Sequence, residues 1–196
     1  MPEDTQLSDS DGVFLVKTAR MAVTEFLSTG KKMKLESEHE KKFSFNSGVF
    51  VTLNNADGLR GCIGFPMPDK KLSNGIIDAA IAAATEDPRF SPVKTDELSD
   101  IVFEVTVLTP PVEITVTDPM EYLEKIKVGR DGLIIKHSFS SGLLLPQVPA
   151  EYGWNVEEFL QHTCEKAGLE KDTWKNEKVK IEKFEGIVYK EETNGS

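Results

Sequence analysis

Cysteine is scarce: two residues in 196, Cys62 and Cys164, widely separated and with no Cys-x-x-Cys pair. That is too few for a disulfide scaffold and predicts a reducing, cytoplasmic setting. The three histidines and two cysteines have no metal-ligand spacing, so no metal site is expected. A phosphate loop and a Gly-x-Gly-x-x-Gly run are both missing, and no cofactor is predicted. No stretch approaches the ~20 apolar residues that cross a bilayer, which speaks against a membrane partner. The opening Met1-Pro2-Glu3-Asp4 is acidic and lacks the apolar run of a secretory signal. Basic charge is in deficit, with 23 Lys and Arg against 33 Asp and Glu for a net charge of −10. Such a field opposes nucleic acid and anionic membranes, so neither is expected to bind. The clusters Lys31-Lys32-Met33-Lys34, Lys41-Lys42 and Lys70-Lys71 have no interleaved aromatics and read as solvated loops.

What is present suffices for a globular fold. A chain of this length buries about two thirds of its unfolded surface. Helical apolar spacing predicts a first helix over Asp11–Ser28, capped by Ser10 or Asp11 and stopped at Gly30. A charged loop, 31–42, leads into a hairpin of Phe43–Asn54 and Leu59–Phe65 around the turn Asn55-Ala56-Asp57-Gly58. Residues 75–84 are apolar nearly all round and read as a buried helix ended by Asp87-Pro88. Strands are predicted at 101–108, 112–116, 133–136, 142–145 and 179–189. Short and longer helices are expected at 119–126 and 156–167, the latter between an Asn155 cap and Gly168. Hairpins dominate the strand connections, which predicts α+β with a mostly antiparallel sheet and flanking helices. Residues 1–9 and 191–196 are expected to be flexible ends around one domain, 10–190.

The most informative stretch is Leu59-Arg60-Gly61-Cys62-Ile63-Gly64. Strict alternation places Arg60 and Cys62 on one face of the second hairpin strand, with Val51 and Leu53 across from the thiol. Glycines on either side of a thiol leave bare backbone where something must approach closely.

This hexapeptide resembles the signature of the AMMECR domain family, and further matches follow in the family's order. They include Asp87-Pro88-Arg89-Phe90-Ser91-Pro92-Val93, Glu104-Val105-Thr106-Val107-Leu108-Thr109-Pro110 and Gly129-Arg130-Asp131-Gly132-Leu133. Gly142-Leu143-Leu144-Leu145-Pro146-Gln147-Val148, Lys166-Ala167-Gly168-Leu169 and Trp174 complete the pattern. Several separated motifs in order, over roughly residues 10 to 190, are far more specific than one. The resemblance implies a stand-alone prokaryotic member of archaeal type, with a larger and a smaller lobe on one continuous core. It also implies a pathway shared with Memo-type and radical-SAM proteins, and raises Gln147 to a pocket residue.

Two functional classes remain open. In one, Arg60, Gly61, Gly64, Asp87, Arg89 and Gln147 line a cleft for a protein partner or a small anionic ligand. In the other, Cys62 is the catalytic nucleophile of an enzyme and Arg60 holds the anion. Each residue also has a structural reading. Cys62 can be a small buried hydrophobe, and Arg60 can pair with Glu86, Asp87 or Glu104 to avoid an unpaired buried charge. Asp87 and Arg89 can form a capped turn, and Pro146 and Pro149 around Gln147 can be rigid punctuation.

Overall fold

The computed structural model describes residues 7–176 and 178–192. In chain order the elements are α1 (Asp9–Thr29), α2 (Ser37–Lys42), β1 (Val49–Asn55), β2 (Gly58–Phe65), α3 (Leu72–Thr85) and β3 (Val102–Leu108). They continue with β4 (Val112–Glu113), α4 (Tyr122–Lys125), β5 (Asp131–His137), β6 (Ser140–Leu144), α5 (Gln147–Tyr152), α6 (Val156–Lys166) and β7 (Lys180–Lys190). The fold is α+β with antiparallel strand pairing, as the sequence predicts. The chain forms two compact units. Of the described residues, one holds those up to Leu108 and those from Ile187, and the other those between Thr109 and Gly186.

In the first unit the strands lie in the order β2-β1-β3. The register pairs Val49 with Val107, Val51 with Val105 and Leu53 with Phe103. All six are 3% exposed or less, so one sheet face is a continuous apolar plate built by period-two patterning. Helices α1 and α3 cover it. The first helix starts earlier than expected, because the hydroxyl of Ser8 accepts the Asp11 N–H and the Asp11 carboxylate accepts the Ser8 N–H in return. This capping box joins two groups three residues apart, and Gly30 ends the helix in the left-handed conformation as expected. Expected loop 31–42 contains α2, which is stabilised by His39 stacking on Phe14. Residues 1–6 and 193–196, part of the expected flexible ends, lie outside the described residues. Glu191 accepts hydrogen bonds from the Arg20 guanidinium and the Phe103 N–H.

In the second unit β5 pairs with both β6 and β7, and β4 adds two residues to β7. Leu133, Ile135 and Ile181 from the strands meet Phe159, Leu160 and Cys164 of α6 and the fully buried Trp174. Asn155 caps α6, as its position before an apolar run predicts. Two expectations change here. The strand expected to resume at 112–116 is only two residues long, and the segment after Pro146, expected as rigid punctuation at a strand exit, forms helix α5. Proline at the start of a helix loses no internal hydrogen bond, which is why Pro146 and Pro149 tolerate that turn.

Helix α3 is the packing centre of the first unit. Ala79, Ala80, Ala83 and Ala84 are all 2% exposed or less. Ala83→Leu is therefore expected to lower stability by about 1–3 kcal/mol through overpacking. Urea unfolding measures this, and a midpoint equal to wild type would show that α3 is not tightly seated.

Candidate functional site

The site begins with an irregularity in β2. Asn54 pairs with Leu59, yet Leu53 pairs with Gly61, so Arg60 is an extra residue opposite no partner. This β-bulge slips the register by one, and a one-residue slip changes which side chains meet. Cys62 consequently lies opposite Thr52, not Val51 or Leu53. Its Sγ is 3.2 Å from the Thr52 Oγ1, and Thr52 in turn lies opposite Glu104 of β3. A thiol, a hydroxyl and a carboxylate thus form a row across three strands, each residue half-buried, on the face opposite the apolar plate.

The bulge also decides the fate of Arg60. Simple alternation does not carry across it, so the expectation of a shared Arg60–Cys62 face does not hold. The Arg60 guanidinium grips Glu97 with both arms, Nε to Oε2 at 2.8 Å and Nη2 to Oε1 at 3.1 Å, and donates to the Ser91 carbonyl at 2.9 Å. Its side chain is only 12% exposed. The expected partners Glu86, Asp87 and Glu104 are replaced by Glu97, whose carboxyl is held below its ordinary pKa, chiefly by that guanidinium.

Both glycines are filled from within the protein. A Cβ on Gly61 would lie 2.2 Å from the Ala83 carbonyl oxygen, and one on Gly64 would lie 2.3 Å from the nearest atoms of the Phe50 ring. The close approach anticipated from the sequence is made by α3 and by a cross-strand aromatic.

Asp87 is the buried charge of the site. Its Oδ2 accepts the Cys62 N–H at 2.8 Å, and both oxygens take the Arg89 guanidinium, at 2.9 Å and 2.7 Å. The Arg89 hydrogen bond is the main cause holding the Asp87 carboxyl far below the usual carboxylate range, against the opposing effect of burial. The same contact raises Arg89. Arg89 Nη2 also donates to the Cys62 carbonyl at 3.4 Å. Since β2 is an outer strand, Asp87 and Arg89 supply Cys62 with the acceptor and donor that another strand would provide.

Gln147 belongs to the second unit, as the exposed first residue of α5, and His137 ends β5 in that unit. Thr52 and Glu97 were not singled out by the sequence. Thr52 depends on the bulge, and Glu97 reaches Arg60 through a turn of 3-10 helix, Thr95–Glu97. Among the described residues no cluster of His, Cys, Asp and Glu is arranged to hold a metal ion.

An antiparallel sheet backed by an alanine-rich helix, with this bulged strand at its edge, defines the class. The AMMECR1 family model matches residues 16–189, and the chain belongs to that family. It is 51% identical to protein MJ0810 of Methanocaldococcus jannaschii over 187 residues, covering 94% of this chain and 92% of that one. Protein MK0488 of Methanopyrus kandleri is 48% identical over 190 residues, covering 95% and 91%. The crystal structure of protein PH0010 from Pyrococcus horikoshii superposes with a TM-score of 0.77 at 49% identity, covering 95% of this chain and 94% of that one.

Two predictions follow from this geometry. Iodoacetamide is expected to label half-buried Cys62 in the native protein before Cys164. The latter is 0% exposed, and burial pushes its thiol up to about 11. Mass spectrometry of digests counts the adducts; equal labelling, or none at Cys62, contradicts this placement. The second concerns acid. Because folding lowers the Asp87 pKa, its contribution is present above the unfolded value of about 4 and is lost as pH falls below it. Asp87→Asn is expected to cost about 2 kcal/mol at pH 7. The difference from wild type should shrink as pH drops below about 4. A pH-independent difference would assign the loss to packing instead.

Proposed function

We propose that the Cys62 face is the contact surface of a cytoplasmic binding or partner module, rather than the centre of an autonomous enzyme. The observation that supports this is the engagement of its charges. A catalytic thiol needs a base, or a cation to hold the thiolate. Arg60 is occupied by Glu97, Arg89 is neutralised by Asp87, and the partner of the thiol is the Thr52 hydroxyl, which is no base near neutral pH. What the face offers an incoming molecule is a small thiol, a hydroxyl, the Glu104 carboxylate and the outer side of Arg89, which is 54% exposed. Such a surface suits a protein partner or an anionic group on one. The family resemblance directs attention to Memo-type and radical-SAM proteins as partners, with Gln147 a further contact in the second unit.

The test measures association of this protein with Memo-type and radical-SAM proteins encoded in the same genome, before and after alkylation of Cys62. Alkylation and Thr52→Arg are each expected to weaken binding about tenfold. Binding that ignores both changes would move the contact elsewhere. Turnover of thiol-reactive esters that Cys62→Ser abolishes would replace this reading with the second one. There Cys62 is the nucleophile of an enzyme acting on a small anionic substrate, and Arg60 its anion holder.

A further inference from the structure

The sheet of the second unit ends at β6, and the strand's outer backbone is open. In β7 the carbonyls of Ile181 and Glu185 face away from β5, accepting the N–H groups of Ile114 and Thr109, both at 2.8 Å. Antiparallel strands alternate residue by residue, so Glu182 turns toward its partner Ile134, while Leu133 and Ile135 turn toward β6. Their partners Leu144 and Gly142 therefore face inward, and the N–H and C=O groups of Ser141 and Leu143 point out of the sheet. Among the described residues nothing pairs with these four groups.

The first unit treats its outer strand differently. There Asp87 and Arg89 cover the outward N–H and C=O of Cys62. Edge strands are ordinarily shielded, often by charge or proline, because an open edge recruits another strand. β6 has neither device: from Ser138 to Leu145 the chain carries no charged residue and no proline. Helix α6 covers one face of the strand, its Ala167 backbone filling the place of a Gly142 Cβ, and leaves the edge groups unpaired.

The tip of the hairpin adds an apolar group. Ser138 takes the left-handed conformation that suits a tight two-residue turn. Phe139 follows it and stands wholly in water, at 108% exposure. A lone exposed ring is ordinary by itself, but beside an uncharged open edge it enlarges the surface that an added strand would cover.

The occupant best matched to this edge is the same strand of another copy. Chains of net charge −10 repel wherever their acidic surfaces meet, and an uncharged stretch is where two of them can approach. Antiparallel pairing about Gly142 is also self-matching. Ser141 of each copy then meets Leu143 of the other, and all four open groups on both chains find partners. In the same register Phe139 falls opposite half-buried Leu145, which gives the ring an apolar neighbour.

We infer that β6 pairs antiparallel with β6 of a second copy about a two-fold axis at Gly142, an isologous contact that joins two chains edge to edge. It is carried by the second unit alone and does not depend on the role of Cys62.

Sedimentation velocity of the intact protein over a concentration series reads the association. The mass is expected to rise from one chain toward two, and amide exchange at Ser141 and Leu143, followed by NMR, to slow in step. Ser141→Pro removes an outward donor and no bond to β5. At a concentration where both proteins are single chains it is expected to melt as wild type does, yet to dimerise about tenfold more weakly. Should that variant unfold, Ser141→Lys keeps the backbone intact and places a charge at the edge, with a similar weakening expected. Phe139→Ser is expected to weaken the dimer about fivefold. A protein that stays a single chain at every concentration overturns the inference, even if its β6 edge takes up a strand of another protein. A dimer indifferent to all three substitutions overturns it too, because the contact then lies elsewhere.

Discussion

Side chains ordinarily stand between a sheet and the helix that covers it, but at Gly61 there is none. The Ala83 carbonyl of α3 occupies the space where a Cβ would be, and the alanines of the helix add no bulk to hold it away. Much of the site follows from this contact. With α3 pressed onto β2, the chain leaving the helix emerges at the strand's open edge, and Asp87 arrives within 2.8 Å of the Cys62 N–H. A larger residue at either position would lift the helix and withdraw the carboxylate. The cost would then be both packing and an unpaired backbone donor.

The electrostatics near the thiol follow from the same arrangement. A buried carboxylate is tolerated only with partners, and Asp87 has a guanidinium and two backbone N–H groups, those of Cys62 and Arg89. Arg60 and Glu97 make a second pair. The two arginines that made this stretch look like a waiting anion trap are therefore largely committed inside the protein. Arg89 keeps an exposed outer side, and that is where an external anion can still be met.

Local signals were readable and non-local ones were not. The buried helix showed in Ile76-Ile77 and its run of alanines, and α6 in Asn155 and Gly168, because each depends on neighbours in the chain. The alternating valines of β1 and β3 announced one apolar face. Short α2 and α5 were invisible, since six residues carry too little periodicity and α5 contains Pro149. The register was missed for a single reason. A bulge adds one residue without any marker in composition, so pairing counted outward from the Asn55–Gly58 turn is right at Leu59 and wrong from Gly61 onward. The exchange of Val51 for Thr52 beside the thiol, and of Glu104 for Glu97 beside Arg60, are both failures of long-range geometry rather than of residue chemistry.

That correction narrows what in the hexapeptide needs a functional explanation. Arg60 is accounted for by the bulge and its pair with Glu97, Gly61 by the Ala83 carbonyl, and Gly64 by the Phe50 ring. Ile63 packs against the first unit's core. The backbone of Cys62 is accounted for by Asp87 and Arg89, contacts that any non-proline residue could make. The exposed Leu59 side chain and the Cys62 sulfur are left over. The sulfur's hydrogen-bonding neighbour across the strand is the Thr52 hydroxyl, and Cys62 is half-buried. The chemistry of that thiol, or its shape toward another molecule, is the natural place to look for what this stretch contributes beyond the fold.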